Sequence, residues 1–325
     1  MIHFLYLGRV DYETALGLQE ELVRLRTANR IGNVLLLLEH PPVLTLGRNA
    51  NRANILASDA LLAARGVTLH AINRGGDVTY HGPGQLVGYP IFDLRSLRNA
   101  RGARLGPVEF VRQMEEALIR LCGEFGLAAG RIRGLTGVWI GLPPAATDES
   151  PSQRPPSSTA LPSGPAGSSR CGTFCGPAAD DPPMGERKIA AIGIHVARGV
   201  TSHGFAFNVA TDLDGFQLIN PCGITDRPVT SLAREIADPA ALPALALMAA
   251  RAARQFGTVF DEPVEPLESL EALRASARPA AVNHPEEAAA TPSAAAPIFP
   301  AEDTPIETPA AIERLHGTAA RPTRA

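Results

Sequence analysis

The apolar positions of the chain fall into segments of two different periods. Tyr12 to Thr27 and Val108 to Phe125 carry apolar residues at helical spacing, which predicts two amphipathic helices. Asn33 to Glu39 is instead a continuous apolar run, and it predicts a buried strand that ends before two prolines. Leu242 to Phe256 predicts a helix that closes the domain.

Shorter runs rich in β-branched and aromatic residues predict the other strands. They are Leu69 to Asn73, Leu86 to Leu94, Arg131 to Arg133, Gly137 to Ile140, Lys188 to Val196 and Gly204 to Val209. Mixed strands with helices near both ends of the chain predict an α/β (α+β) fold, a mixed β-sheet flanked by helices.

Two stretches show no apolar period and are rich in proline. Residues 142–185 contain 22 Pro, Ser and Gly among 44 positions, and residues 276–325 contain 23 Ala and Pro among 50. Proline removes backbone donors, so we expect both stretches to be disordered. The predicted organisation is one folded domain over residues 1–260, interrupted by a disordered insertion at 142–185 and followed by a disordered tail over 261–325.

The composition of the chain argues against several classes of protein. The net charge is −3 and charged residues make up 19%, which argues against a nucleic-acid partner. The longest aliphatic run, Val34 to Leu38, is far shorter than the roughly 18 residues of a membrane span. The start of the chain does not have the form of a secretory signal. Four cysteines in so long a chain do not form a disulfide framework, so we expect a reduced, cytoplasmic protein.

The segment Arg74 to Gln85 is the densest chemical signal, because four glycines alternate there with an arginine, a tyrosine and a histidine. Such a loop can present backbone N–H groups to a ligand. Its glycine spacing matches neither a dinucleotide fingerprint nor a phosphate-binding Walker loop. On composition alone it is either a ligand-binding loop or a tight connection. His81, inside it, and His203 are the histidines in the most suggestive positions.

The cysteines and a lysine have different contexts. Cys222 lies in an Asn-Pro-Cys-Gly turn, which favours an exposed, reactive thiol. Cys122 lies on the apolar face of a predicted helix and is expected to pack in the core. Cys171 and Cys175 form at most half of a zinc site, so no metal site is predicted. Lys188 opens a strand and, taken alone, is typical of a solvated edge residue.

Taken together, these segments resemble the octanoyltransferases of lipoate biosynthesis, the lipoyl(octanoyl) transferases. The segment Arg74 to Gln85 carries their pattern R-G-G-x-x-T-Y-H-G-P-G-Q, and Glu39 to Val43 reads E-H-P-P-V. The order K-I-x-x-x-G, H-G-x-A-x-N-V and N-P-C-G follows from Lys188 onwards. The resemblance covers about residues 1–260, and the stretch of about forty residues before the lysine segment departs from the family pattern.

The resemblance implies a fold like that of biotin and lipoate protein ligases, with Cys222 as nucleophile and Lys188 as its partner. The implied reaction moves an octanoyl group from octanoyl-acyl carrier protein to a lysine of apo lipoyl domains, those of 2-oxoacid dehydrogenase E2 subunits and of the glycine cleavage H protein. No cofactor is implied, because the donor thioester is already activated. The substrate-binding segments that carry over are Arg74, Gly75, Gly76, Asp77, Val78, Thr79, Tyr80, His81, Ala191, Ile192, Gly193, Gly204, Phe205 and Ala206.

Three alternatives stay open at this point. An ATP-dependent lipoate or biotin ligase would share the fold without needing a cysteine nucleophile. A non-catalytic module would dock an acyl carrier without forming a covalent adduct. A thioesterase would pair a cysteine with His81 or His203 and release free octanoate.

Overall fold

The structure, a computed structural model, describes residues 1–99, 101–142, 185–221 and 227–277. The α-helices of these ranges are Tyr12–Thr27 (α1), Asp59–Ala64 (α2), Pro107–Gly123 (α3), Leu232–Glu235 (α4), Leu245–Phe260 (α5) and Leu270–Ala275 (α6). The strands are Ile2–Arg9 (β1), Asn33–Glu39 (β2), Val43–Leu46 (β3), Thr68–Ala71 (β4), Val78–His81 (β5), Gln85–Ile91 (β6), Ala129–Ile132 (β7), Leu135–Ile140 (β8), Arg187–Ala197 (β9), Val200–Asn208 (β10) and Val264–Pro266 (β11).

Eight strands form one mixed sheet in the order β11–β1–β2–β6–β10–β9–β8–β7. The strand β1 pairs in parallel with β11 and β2, whereas every pair from β2–β6 to β8–β7 is antiparallel. The other three strands form a small sheet in the order β4–β3–β5. Strand β5 of this small sheet lies within the glycine-rich segment, and β6 of the large sheet begins at Gln85, where that segment ends.

Helices cover both faces of the large sheet. Leu35 and Leu37 of β2 belong to the core cluster that contains residues of α3 and α5. Leu36 and Leu38 belong to the cluster that contains residues of α1. Successive strand side chains point to opposite faces, so a strand covered on both sides needs an unbroken apolar run. The predicted α/β fold, a mixed sheet flanked by helices, is confirmed.

The bounds of the longest helices follow from local signals. The side chain of Asp11 caps α1 by accepting a hydrogen bond from the Thr14 N–H at 2.8 Å. Helix α5 ends where Asp261 adopts a left-handed conformation with φ of 52°. The observed bounds of α1, Tyr12–Thr27, are those predicted from the sequence. Within the described ranges, no helix has the length and apolar character needed to cross a bilayer.

The predicted tail over 261–325 begins too early. Residues 264–266 form β11, which extends the large sheet beside β1. In α6, Leu273 is buried in the cluster that also contains α1, and Arg274 pairs with Glu21 of α1 at 2.7 Å. A three-residue strand and a six-residue helix are too short to show a clear period, which is why the pattern missed them. Residues 143–184 of the predicted insertion and 278–325 of the tail lie outside the described residues.

Candidate active site

The glycine-rich loop after β4 is held in place by Arg74. The Nη2 atom of this guanidinium donates to the carbonyl oxygen of Thr45 at 2.7 Å and to its hydroxyl oxygen at 2.9 Å. The Nη1 atom donates to the carbonyl oxygen of Gly75 at 3.0 Å. Because Arg74 is buried and a guanidinium presents its donors in a fixed plane, these contacts fix the loop against β3.

The same loop contacts β9 at a position where only glycine fits. The Gly75 N–H donates to the carbonyl oxygen of Ile194 at 3.0 Å. A Cβ atom added to Gly193 would lie 2.7 Å from the Gly75 carbonyl oxygen and 3.3 Å from Cδ of Arg74. The absence of a side chain at Gly193 therefore permits close approach of loop and strand.

A narrow cavity of about 50 Å³ lies between this loop, β9 and β10. The structure brings eleven of the fourteen predicted substrate-binding residues to its wall. They are Arg74, Gly75, Gly76, Thr79, His81, Ala191, Ile192, Gly193, Gly204, Phe205 and Ala206. The wall also contains Tyr12, Val87, Tyr89 and His203. Of these four, only His203 was a candidate from the sequence, because the others lie in no motif and arrive through packing of α1 and β6.

The three remaining predicted residues, Asp77, Val78 and Tyr80, do not line this cavity. Alternate side chains of β5 point to opposite faces, so Val78 and Tyr80 pack into a separate apolar cluster when Thr79 and His81 face the cavity. The Tyr80 ring lies 5.4 Å from that of Phe216 in this cluster. The carboxylate of Asp77 accepts hydrogen bonds from protein groups.

A chain of buried hydrogen bonds joins His81 to the backbone of Lys188. The Gln85 amide nitrogen donates to Oδ1 of Asn208 at 2.9 Å, so the Gln85 oxygen accepts from Nδ1 of His81 at 2.8 Å. Asn208 donates in turn to the carbonyl oxygen of Thr230 at 2.9 Å. The Thr230 N–H donates to the carbonyl oxygen of Lys188 at 2.9 Å. These bonds hold β5, β10 and β9 in one fixed arrangement.

Three buried histidines lie in or beside the cavity, since His81 and His203 line it and the His40 ring centre lies 5.8 Å from that of His81. Burial is the main cause that lowers the pKa of His81 and of His203 to about 3 and that of His40 to about 4. Nδ1 of His40 donates to the Val10 carbonyl oxygen at 2.7 Å, and its Nε2 accepts from the Tyr89 hydroxyl at 2.7 Å. All three imidazoles are therefore neutral at pH 7, and the cavity carries no histidine charge.

We expect these histidines to make the fold sensitive to acid. An unfolded histidine has a pKa of about 6.5, so below that pH the unfolded chain takes up protons that the folded protein does not. Stability is then full above pH 6.5 and falls as the pH drops towards 4, by up to about 2 kcal/mol per histidine at pH 5. Urea unfolding at pH 7 and pH 5 measures this loss. His81→Gln should lose less stability over the interval, and an equal loss in both proteins would contradict the assignment.

Lys188 is not a solvated edge residue. It is only 7% exposed, since β8 and residues 228–230 cover the start of β9. Its Nζ atom lies 4.7 Å from the centre of the Trp139 ring. An ammonium over an indole face is stabilised by the ring quadrupole, so this position suits a charged lysine.

Lys188 also lines a second, smaller cavity together with Pro221. Its other wall residues are Thr79, Gln85, Ala191, Ala206, Asn208, Phe216 and Val229. Thr79, Ala191 and Ala206 line both cavities, so the two are neighbours. Pro221 directly precedes Cys222, which itself lies outside the described residues.

Cys122 lies where its sequence context predicts, in the core. This residue is fully buried in the main core cluster, and burial raises the pKa of its thiol to about 12. The prediction that Cys122 is a packing residue is confirmed. Cys171 and Cys175 lie outside the described residues.

Comparisons with known proteins identify similar chains. The family model of the lipoyl protein ligase A/B catalytic domain matches residues 11–252. An octanoyltransferase of Acidobacterium capsulatum is 52% identical over 265 residues, covering 81% of this chain and 92% of that protein. An octanoyltransferase of Koribacter versatilis is 47% identical over 264 residues, covering 81% and 86%.

Among solved structures, the archaeal bi-partite lipoate protein ligase with its E2 lipoyl domain, from Thermoplasma acidophilum, contains a similar chain. The TM-score is 0.55 at 17% identity, and the match covers 85% of this chain and 90% of that chain. At this identity the likeness concerns the fold, and it confirms the predicted resemblance to lipoate protein ligases.

Proposed function

Because this chain belongs to the lipoyl protein ligase A/B catalytic domain family and is an octanoyltransferase of lipoate biosynthesis, we propose that Cys222 and Lys188 perform its chemistry. Cys222 holds the octanoyl group as a thioester between donor and acceptor. The donor is octanoyl-acyl carrier protein, and the acceptors are apo lipoyl domains of 2-oxoacid dehydrogenase E2 subunits and of the glycine cleavage H protein. The proposed location is the cytoplasm, where a thiol stays reduced.

One observation carries the proposal of a Cys222–Lys188 pair. Lys188 is buried, and the residue that precedes Cys222 lines the same small cavity as Lys188. An ammonium close to a thiol favours the thiolate form of that thiol. The neighbouring cavity, with its predicted substrate-binding residues, supports an acyl site beside the pair.

In the first half-reaction the Cys222 thiolate attacks the carbonyl carbon of the donor thioester. A free cysteine with a pKa of about 8.5 is only a few per cent ionised at pH 7, so a nearby ammonium is needed to favour the thiolate. The bond between the carbonyl carbon and the carrier sulfur breaks. The departing sulfur takes a proton from Lys188, which becomes neutral.

In the second half-reaction the amine of the lipoyl-domain lysine attacks the same carbonyl carbon. Neutral Lys188 accepts the proton that this amine loses, and the Cys222 sulfur departs as thiolate. The products are an octanoyl amide, a charged Lys188 and a Cys222 thiolate ready for the next donor. Backbone N–H groups of the glycine-rich segments are our candidates for stabilising the oxyanion.

The first cavity is our candidate for the octanoyl chain. Its wall contains Val87, Ile192 and Phe205, and burying each methylene there contributes roughly 0.8 kcal/mol. Its histidines are neutral at pH 7, so they present no charge to the acyl chain.

Gly193→Ala is expected to lower the rate of acyl transfer at least about 10-fold without unfolding the protein. The added methyl group collides with the Gly75 carbonyl oxygen, so the loop has to move away from β9 and widen the cavity wall. Steady-state transfer to a lipoyl domain measures the effect. Gly123→Ala is the matched control, because Gly123 ends α3 with no atom within 4 Å of an added Cβ. Equal rates for both variants would contradict the predicted close contact.

The proposed function is tested without ATP by intact-mass spectrometry together with peptide mapping. After mixing with octanoyl-acyl carrier protein, the enzyme should gain one octanoyl group on the peptide that contains Cys222. Addition of an apo lipoyl domain should then move that group to the domain. A requirement for ATP with release of pyrophosphate would indicate a ligase, binding without an adduct would indicate a docking module, and free octanoate would indicate a thioesterase.

A further inference from the structure

Asp77 directs its carboxylate at a neighbouring loop and away from the acyl cavity. Its Oδ1 atom accepts hydrogen bonds from the N–H groups of Asn51, at 2.9 Å, and of Val78, at 2.8 Å. Its Oδ2 atom accepts a hydrogen bond from the side-chain amide of Asn54. Asp77 thus joins the glycine-rich segment to the turn over residues 51–54.

The turn over residues 51–54 is also hydrogen-bonded to the segment that leads to Cys222. The carbonyl oxygen of Asn54 accepts a hydrogen bond from the Asn220 N–H at 2.7 Å. Ile55 and Ile219 form an antiparallel bridge, and the N–H of Leu56 donates to the carbonyl oxygen of Leu218 at 2.9 Å. Residues 218–220 are therefore hydrogen-bonded to the loop that Asp77 fixes.

We propose that Asp77 and Asn54 form a positioning pair that sets the distance between the Asn220–Pro221 segment and Lys188. This inference rests on the proposed function, because the position of that segment matters only if the residue after it carries the acyl group. Asp77 is then a positioning residue that acts through Asn54 and touches no substrate. Its substrate-binding role, expected from the family resemblance, is replaced by this one.

The chemistry of the pair allows a reciprocal test. In Asp77→Asn, the new amide oxygen still accepts from the two backbone N–H groups, and its nitrogen can donate to the Asn54 oxygen once the Asn54 amide turns over, so a weaker, uncharged contact remains. In Asn54→Asp, two carboxylates face each other and repel. In the double variant Asp77→Asn/Asn54→Asp, the amide donates to the carboxylate, and the side-chain bond is restored in reverse.

The experiment measures the rate of acylation by octanoyl-acyl carrier protein with rapid quenching and peptide-resolved mass spectrometry. Displacement of reacting groups by about 1 Å can cost about 10²-fold in rate, so Asn54→Asp should acylate about 10²-fold more slowly than wild type, whereas Asp77→Asn should stay within about 10-fold. The double variant should recover to within about 10-fold of wild type. The donor concentration at half-maximal rate should stay unchanged in all variants, since Asp77 does not line the acyl cavity.

Two internal controls separate positioning from folding. Alkylation of the fully buried Cys122 reports unfolding in the same mass spectra. Asp59→Asn removes the exposed Arg52–Asp59 ion pair of 3.2 Å beside the same turn and should acylate at the wild-type rate. A wild-type rate in Asn54→Asp, or a double variant no faster than Asn54→Asp, would overturn the inference. A wild-type protein without any adduct on Cys222 would instead overturn the proposed function.

Discussion

Cys222→Ala is expected to abolish the acyl-enzyme and to lower kcat/KM by about 10⁴- to 10⁶-fold, as for other enzymes that lose their nucleophile. Alanine offers no atom that can form a thioester, and the described part of the chain brings no second thiol into the site. Cys122, the described cysteine, is buried in the core with its pKa raised to about 12. Intact mass after mixing with octanoyl-acyl carrier protein, together with the steady-state rate of transfer, measures both effects.

The matched control for this variant is Cys122→Ala, which removes a thiol from the core. It should lower stability through lost packing and keep the wild-type rate of acylation. A stable octanoyl adduct on Cys222→Ala would show that another residue is the nucleophile. In that case the proposed pair would be wrong, although the octanoyltransferase family would stand.

Lys188→Ala is expected to slow both half-reactions by about 10²- to 10⁴-fold, the range of general acid–base contributions. Without the ammonium the thiolate fraction of Cys222 falls, and without the amine no base accepts the proton of the incoming lysine. Lys188→Arg separates the role of the positive charge, which favours the thiolate, from the role of the base, which accepts the proton. Arginine keeps the positive charge but stays protonated, so acylation should be faster than in the alanine variant while transfer to the amine remains blocked.

Single-turnover mixing, followed by intact mass, resolves the two half-reactions in each variant. The rate of Cys222 alkylation against pH gives an independent measure of its ionisation. If Lys188→Ala protein were alkylated with the same pH profile as wild type, the lysine would not influence the thiol. If the arginine variant transferred as well as wild type, Lys188 would not be the base.

Much of the fold could be predicted because its longest elements carry clear periods. Helix α1 has the predicted bounds, and the apolar run of β2 reflects a strand covered on both faces. Strands β3, β5 and β11 were missed, because strands of three or four residues show no distinctive pattern. Helix α6 was assigned to the tail for the same reason. Strand β1 was also missed, although it is eight residues long.

The site residues, too, could be predicted from the sequence only in part. Residues contributed by motif segments, such as Gly75 and Gly193, do line one cavity. The motif does not show that β5 turns Val78 and Tyr80 towards another cluster, because this depends on where the two sheets meet. It also gives no sign of Tyr12 or Tyr89, which reach the cavity from α1 and β6. Nor does the sequence reveal that Lys188 is covered by β8 and lies over Trp139.

Lys188 is the only lysine in the 325 residues, so its titration can be observed without interference. Protein labelled with carbon-13 at the lysine ε position gives one side-chain NMR signal, which is followed against pH in wild type and in Cys222→Ala. A thiolate within about 4–6 Å favours the charged form of the amine. We predict that removing the sulfur shifts the midpoint of the lysine titration down by at least about one pH unit. Superimposable titrations in the two proteins would contradict the pairing of these two residues.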